Sequence, residues 1–144
     1  MPSTSRDIDF HALANEQAAL LRAGRFDAAD MEHIAQEIES MAKGEKCELV
    51  SRLAVLLLHL LKRRFQPAGR CSSWETSIRV RRRQTAYHLA DNPSLKAKAP
   101  EVMAAAYRVA LLEAAHKTKL ARATFPETCQ FWFEQAMDEA FWPQ

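Results

Sequence analysis

Glycine is scarce in this chain, at three residues in 144. Three glycines cannot build a glycine-rich loop that wraps backbone amides around a phosphate, so the nucleotide-cradle motifs are excluded. Cysteine is also rare. Cys47, Cys71 and Cys129 are odd in number and widely spaced, with no CxxC, which argues against a disulfide framework and for reduced thiols. The longest apolar run, Leu53 to Leu61 around His59, covers about half of the roughly 20 residues that a bilayer span requires. The opening residues, MPSTSRDIDFHAL, have no signal-peptide core, and a soluble, bacterial-type cytoplasmic protein without membrane contact is expected. No stretch alternates with period two, so strands are not expected.

What is present is helical. Apolar residues fall at Met31, Ile34, Ile38, Met41, Leu49, Leu53, Leu56 and Leu60, in steps of three and four around one gap. Such steps trace one buried stripe on a helix. The gap falls at Glu45, just after Gly44, a weak helix former at about 1 kcal/mol worse than alanine. A straight helix over 27–64 would be about 57 Å long. A compact chain of this length has a radius of gyration of about 14–15 Å. The helix is therefore expected to break or bend near Gly44, or to be covered by a second subunit.

The remaining elements follow from punctuation. Residues 1–6 are expected to be a disordered tail. A first helix is expected over 7–23, with Phe10, Leu13, Gln17, Leu20 and Leu21 on one face and Gly24 as its stop. Gln17 intrudes on that face and is expected as a core amide bonded to neighbouring backbone. Asp27 is the expected N-cap of the long helix, and Gln66-Pro67-Ala68-Gly69 ends it. Ser72 and Glu75 fit a capping box opening a helix over 72–90. A fourth helix over 95–118 is kinked or restarted at Pro100, and a short one is expected over 130–138. Phe131, Phe133, Phe141 and Trp142 then read as a clasp burying the C-terminal end. The fold class is all-α: a single-domain antiparallel helical bundle over 7–143 with four main helices.

Charge is uneven. Residues 62–83 hold eight bases against Glu75 alone, a net +7 in a chain of net +2. Acid concentrates earlier, at Asp27, Asp30, Glu32, Glu37, Glu39, Glu45 and Glu48. An arginine on an otherwise apolar helix face needs a partner. Arg82 is therefore expected to pair with Glu45 or Glu37, in a buried polar network of Gln17, Glu37, Glu45, His59 and Arg82. The basic region, Lys62, Arg63, Arg64, Arg70, Arg79, Arg81 and Arg83, is a candidate nucleic-acid surface, with Trp74, Tyr87 and His88 near enough in sequence to stack on bases.

Successive pieces of the chain are jointly specific: Glu16-Gln17-Ala18-Ala19-Leu20-Leu21-Arg22, Glu37-Ile38-Glu39, Gly44-Glu45-Lys46, His59-Leu60-Leu61-Lys62, Gln66-Pro67, Ser73-Trp74, Ser77-Ile78, Asn92-Pro93-Ser94-Leu95, Phe125-Pro126-Glu127-Thr128-Cys129 and Phe141-Trp142-Pro143. In order and spacing, over about residues 7–143, they resemble the bacterial domain of unknown function 29 family. The resemblance implies a small all-helical protein and brings no catalytic activity with it. The chain departs from the family pattern at Gln130, where proline is usual, and at Arg81, where glutamine is usual.

Catalytic and metal chemistry find little support. A di-metal bundle site needs two Glu-x-x-His pairs, so that each helix presents both ligands on one face. Glu113 with His116 is one such pair, but Leu56, Asp30 and Thr85 precede His59, His33 and His88. No catalytic residue, metal ligand or cofactor is assigned. The expected function is a non-enzymatic protein-interaction or oligomerisation module whose partner is a second copy or another protein. Two alternatives stand beside it: nucleic-acid binding through the arginine-rich region, and a hydrolase or metal-dependent site around Glu37, Glu45 and His59.

Overall fold

The computed structural model describes residues 9–144, all of them in helices, turns or irregular segments. Five α-helices follow one another: α1 (Phe10–Arg22), α2 (Met31–Phe65), α3 (Ser72–Asp91), α4 (Ala99–Thr118) and α5 (Phe133–Met137). The protein is all-α. The expected tail over residues 1–6, and the first two residues of the expected 7–23 helix, lie outside the described residues. The chain divides into two compact units, one ending at Lys43 and one spanning Gly44–Gln144.

In the first unit, Asp9 caps α1 by accepting from the amide of Ala12. The other end closes as a Schellman turn: Gly24, at φ 71°, donates to Leu21 O and Arg25 donates to Leu20 O. The cap of α2 is Asp30, whose carboxylate accepts from His33 N at 3.1 Å. This corrects the expected cap at Asp27. The segment between Gly24 and Asp30 is spent on turns, so the helix starts a turn later than its apolar pattern suggests.

No break separates the halves of α2. It runs 35 residues, continuously through Gly44. One glycine costs a helix too little to break it when long helical segments on both sides propagate the hydrogen-bond ladder. Nevertheless, the boundary between the units falls at that glycine.

The second unit holds the core. Leu49, Leu53, Leu56, Leu57, Leu60 and Leu61 of α2 are essentially inaccessible, together with Ile78 of α3, Val102, Ala106, Ala110, Leu111 and Ala114 of α4, and Ala136 of α5. The small residues along α4 leave room for close helix approach. Buried Thr85 and Thr118 return their hydroxyls to the carbonyls of Arg81 and Ala114 in the preceding turn, so neither is left unsatisfied.

One punctuation signal acts differently from expectation, and Pro100 takes one of its two expected roles, a fresh helix start. Cys71, not Ser72, is the residue before α3, and no side chain caps that end. Glu75 faces Arg63 instead of its own helix start. Pro93–Lys98 forms a 3-10 turn, after which α4 starts afresh with Pro100 in its first turn, where its missing N–H removes nothing. The final helix is shorter than expected, because the chain on either side of Phe133–Met137 is extended.

Candidate functional site

The clearest polar construction lies at the C-terminal end of the second unit. Arg82, on α3, is 1% exposed. Its Nε donates to Ala136 O and its Nη2 to Phe141 O, each at 2.7 Å. A guanidinium presents five donors in a rigid fork, and here two of them grip backbone carbonyls, one in the last turn of α5 and one in the segment after it. Burial lowers the Arg82 pKa, while the fields of Asp138 and Glu139 act in the opposite direction.

Trp142 completes the arrangement. The guanidinium carbons of Arg63, Arg82 and Arg79 stand 4.8, 5.3 and 5.5 Å from its ring centroid. Three cations on one indole is a cation–π assembly that partly compensates their mutual repulsion. Arg63 Nε and Arg82 Nη1 are buried without a hydrogen-bond acceptor among the described residues, consistent with guanidinium planes resting on a ring. Phe131 meets Phe141 edge-on at 6.0 Å. The C-terminal segment is thus pinned by aromatic contact and by an arginine fork together.

Beside it, Lys62 sits 4.6 Å over the ring of Trp74. A Cβ placed on Gly69 would stand 2.5 Å from that ring, so the turn accepts no larger residue without moving the indole. Arg70 donates to Arg63 O at 2.8 Å, and Arg63 reaches Glu75 at 3.4 Å. Arg83 faces Glu139 at 3.7 Å, both well exposed. Arg81 bonds Gln84, and Arg64 lies over Phe65. Part of the basic region therefore serves the fold, while Lys62, Arg64, Arg79 and Arg81 have no carboxylate partner among the described residues.

Within the second unit, Glu45, His59 and Arg82 of the expected network do not pair with one another. Gln17 and Glu37 belong to the first unit, where Gln17 Oε1 accepts from Asp30 N at 2.8 Å and Glu37 faces His33 at 3.7 Å. Glu45 is half exposed rather than buried. It accepts from Asn92 Nδ2 at 3.3 Å, its backbone carbonyl stands 2.9 Å from His88 Nε2, and its carboxylate is 3.6 Å from the same nitrogen. The Glu45–Arg82 pair is thus replaced by Glu45 with His88 and Asn92, and Arg82 with the two C-terminal carbonyls. A carboxylate left at the surface keeps its hydration, and backbone carbonyls at and after the end of α5 supply neutral acceptors for the guanidinium.

His59 stands apart from both groups. Its rise from Glu45 along α2 is about 21 Å. Its Nδ1 is buried without a partner among the described residues, and burial, with help from Lys62, Arg81 and Lys117, pushes its pKa down to about 4. It is a neutral imidazole at pH 7. Tyr107 donates its hydroxyl to Pro126 O, and burial raises its pKa to about 12. Cys129 is likewise pushed up by burial and donates to Phe131 O. Among the described residues no group of three or more His, Cys, Asp or Glu is placed to hold a metal ion. Nor do the sites above bring together a nucleophile, a base and an oxyanion donor.

Nothing in the sequence announces Trp142 as a platform for three arginines, although the closing Phe-Trp-Pro reads as a clasp. The pairing of Glu45 with His88 has no local signal, since 43 residues separate them.

Fold and site define an all-α protein built around a leucine-walled helix and an arginine–aromatic clasp, without an assembled catalytic centre among the described residues. The chain belongs to the family described as Domain of unknown function DUF29, whose model matches residues 7–142. No curated protein and no solved structure matches the chain. Among the described residues no helix is long and apolar enough to cross a membrane.

Proposed function

We propose that the protein is a non-enzymatic protein-interaction module that associates with a second copy of itself through its first unit. One observation carries the reading. The first unit presents an exposed apolar face: α1 has no buried residue, Ile38 is 62% exposed and Met41 is 72% exposed. Together with Phe10, Leu13, Leu21 and Ile34 they line an open groove of about 210 Å³ between α1 and the start of α2. Contiguous exposed apolar surface of this kind marks an association site more often than a free surface. A cytoplasmic setting with reduced thiols belongs to the same reading. Light scattering of the purified chain at micromolar concentrations tests it, with a dimer expected; a monomer across that range would sink it.

A second reading is nucleic-acid binding. It is favoured by Lys62, Arg64, Arg79 and Arg81, which lack carboxylate partners among the described residues, with Lys62 lying over Trp74. Its test is a mobility shift with mixed oligonucleotides at low salt. Binding should weaken as salt is raised and in the Arg64→Ala, Arg81→Ala double variant. Absence of any shift at low salt overturns it.

A further inference from the structure

We propose that the groove of the first unit in one copy receives the outer face of α3 from a second copy, and that the exchange is reciprocal. This rests on the self-association reading and names the surfaces that carry it.

The groove has a definite electrostatic character. Asp30 and Glu37 line it along with its apolar floor, and the one basic-capable side chain there, His33, already lies 3.9 and 3.7 Å from those two carboxylates. Residues 9–43 as a whole carry seven acids against Arg22, Arg25 and Lys43, a net −4. Packing two such units on each other would bring like charges together. The better occupant carries cations among its apolar side chains.

The outer face of α3 has that composition. Val80 and Tyr87 are 45% and 68% exposed. With Arg83 between them they follow spacings of three and four and lie on one face of the helix. Arg79 is exposed on its flank. Arg83's contact with Glu139, at 3.7 Å between two largely exposed side chains, contributes little and is readily exchanged. A two-fold arrangement uses the same pair of surfaces twice, because in an isologous dimer each copy supplies the groove to one contact and the helix face to the other. Opposite charge then sets orientation, and burial of Ile38, Met41, Val80 and Tyr87 supplies affinity.

Charge reversal tests the contact. Glu37→Lys alone and Arg83→Glu alone should each weaken dimerisation at least about tenfold in sedimentation at low salt. An equimolar mixture of the two variants should recover a dimer. In that mixed dimer the introduced lysine faces the introduced glutamate at one contact, and the native Glu37 faces the native Arg83 at the other, so both contacts are attractive. Glu39→Lys, a charge change of the same size that does not line the groove, should leave dimerisation as it was. Circular dichroism on each variant establishes that the helices are intact. If the parent chain dimerises and neither reversal weakens it, or the mixture fails to recover a dimer of folded chains, this contact is wrong while self-association stands. If the parent chain is monomeric, both fall together.

Discussion

The Nε of Arg82 donates to the carbonyl oxygen of Ala136 at 2.7 Å, and this single bond ties α3 to the last helix across 54 residues of chain. With the second donation, to Phe141 O, it makes the C-terminal segment dependent on one buried side chain. Arg82→Ala leaves two carbonyls without their donor and removes one of three cations from Trp142. A buried acceptor left unsatisfied costs about 1–3 kcal/mol, so a loss of roughly 2–5 kcal/mol is expected in denaturant unfolding. Amide exchange over 136–142 should accelerate in the variant. Unchanged exchange there would show that the aromatic contacts hold the segment alone.

Gly44 sits inside α2, and a Cβ added there meets nothing within 4 Å. Gly44→Ala should therefore express only its helix preference, a gain of about 0.5–1 kcal/mol. A higher thermal midpoint with unchanged α-helical circular dichroism is the expected result. A loss of stability would mean that the glycine serves a contact that the described fold does not contain.

Gly69 has the opposite prospect. The Cβ of Gly69→Ala would press on Cη2 of Trp74 at 2.5 Å, and the ring is also the platform for Lys62. Overpacking of this kind costs about 1–3 kcal/mol. A shift in tryptophan fluorescence should accompany the loss, and the two should be suppressed together by Trp74→Leu.

His59 introduces an acid sensitivity. Its folded pKa of about 4 lies below the ordinary 6.5, so the unfolded chain binds a proton that the folded chain refuses between those values. The contribution to stability is full above pH 6.5 and is lost as pH falls toward 4. Within that window the slope approaches about 1.4 kcal/mol per pH unit. Unfolding free energies measured from pH 7 to 4 should fall more steeply for the parent chain than for His59→Gln. Equal slopes would place the imidazole in water.

Tyr107 predicts an alkaline counterpart. Its folded pKa of about 12 exceeds the ordinary 10. The unfolded chain therefore releases a proton that the folded chain keeps, so stability is full below pH 10 and declines as pH rises toward 12. Tyr107→Phe removes the hydrogen bond to Pro126 O, at about 0.5–1.5 kcal/mol, and should also remove that alkaline decline. Spectrophotometric titration of tyrosine checks the assignment directly.

Much of the fold is legible from spacing. The three-and-four rhythm of Leu49, Leu53, Leu56 and Leu60 is the core of α2, and Gly24, Pro67 and Pro93 mark where helices end or turn. These features are local, because helical period and backbone stereochemistry act within a turn or two. The same rhythm continues at Met31, Ile38 and Met41, yet there the stripe is exposed, because periodicity marks an apolar face without saying what packs on it.

Pairing is where spacing fails. An arginine on an apolar face demands a partner, and only charged side chains stand out in a sequence as partners, so Arg82 points to a carboxylate. The acceptors are instead the backbone carbonyls of Ala136 and Phe141, which every residue possesses and none advertises. Helix content, core stripe and charge asymmetry were therefore determined by the sequence alone, through short-range stereochemistry and hydrophobic periodicity. Which polar groups meet was decided by the tertiary structure, since segments tens of residues apart must first be packed together before one carbonyl differs from another.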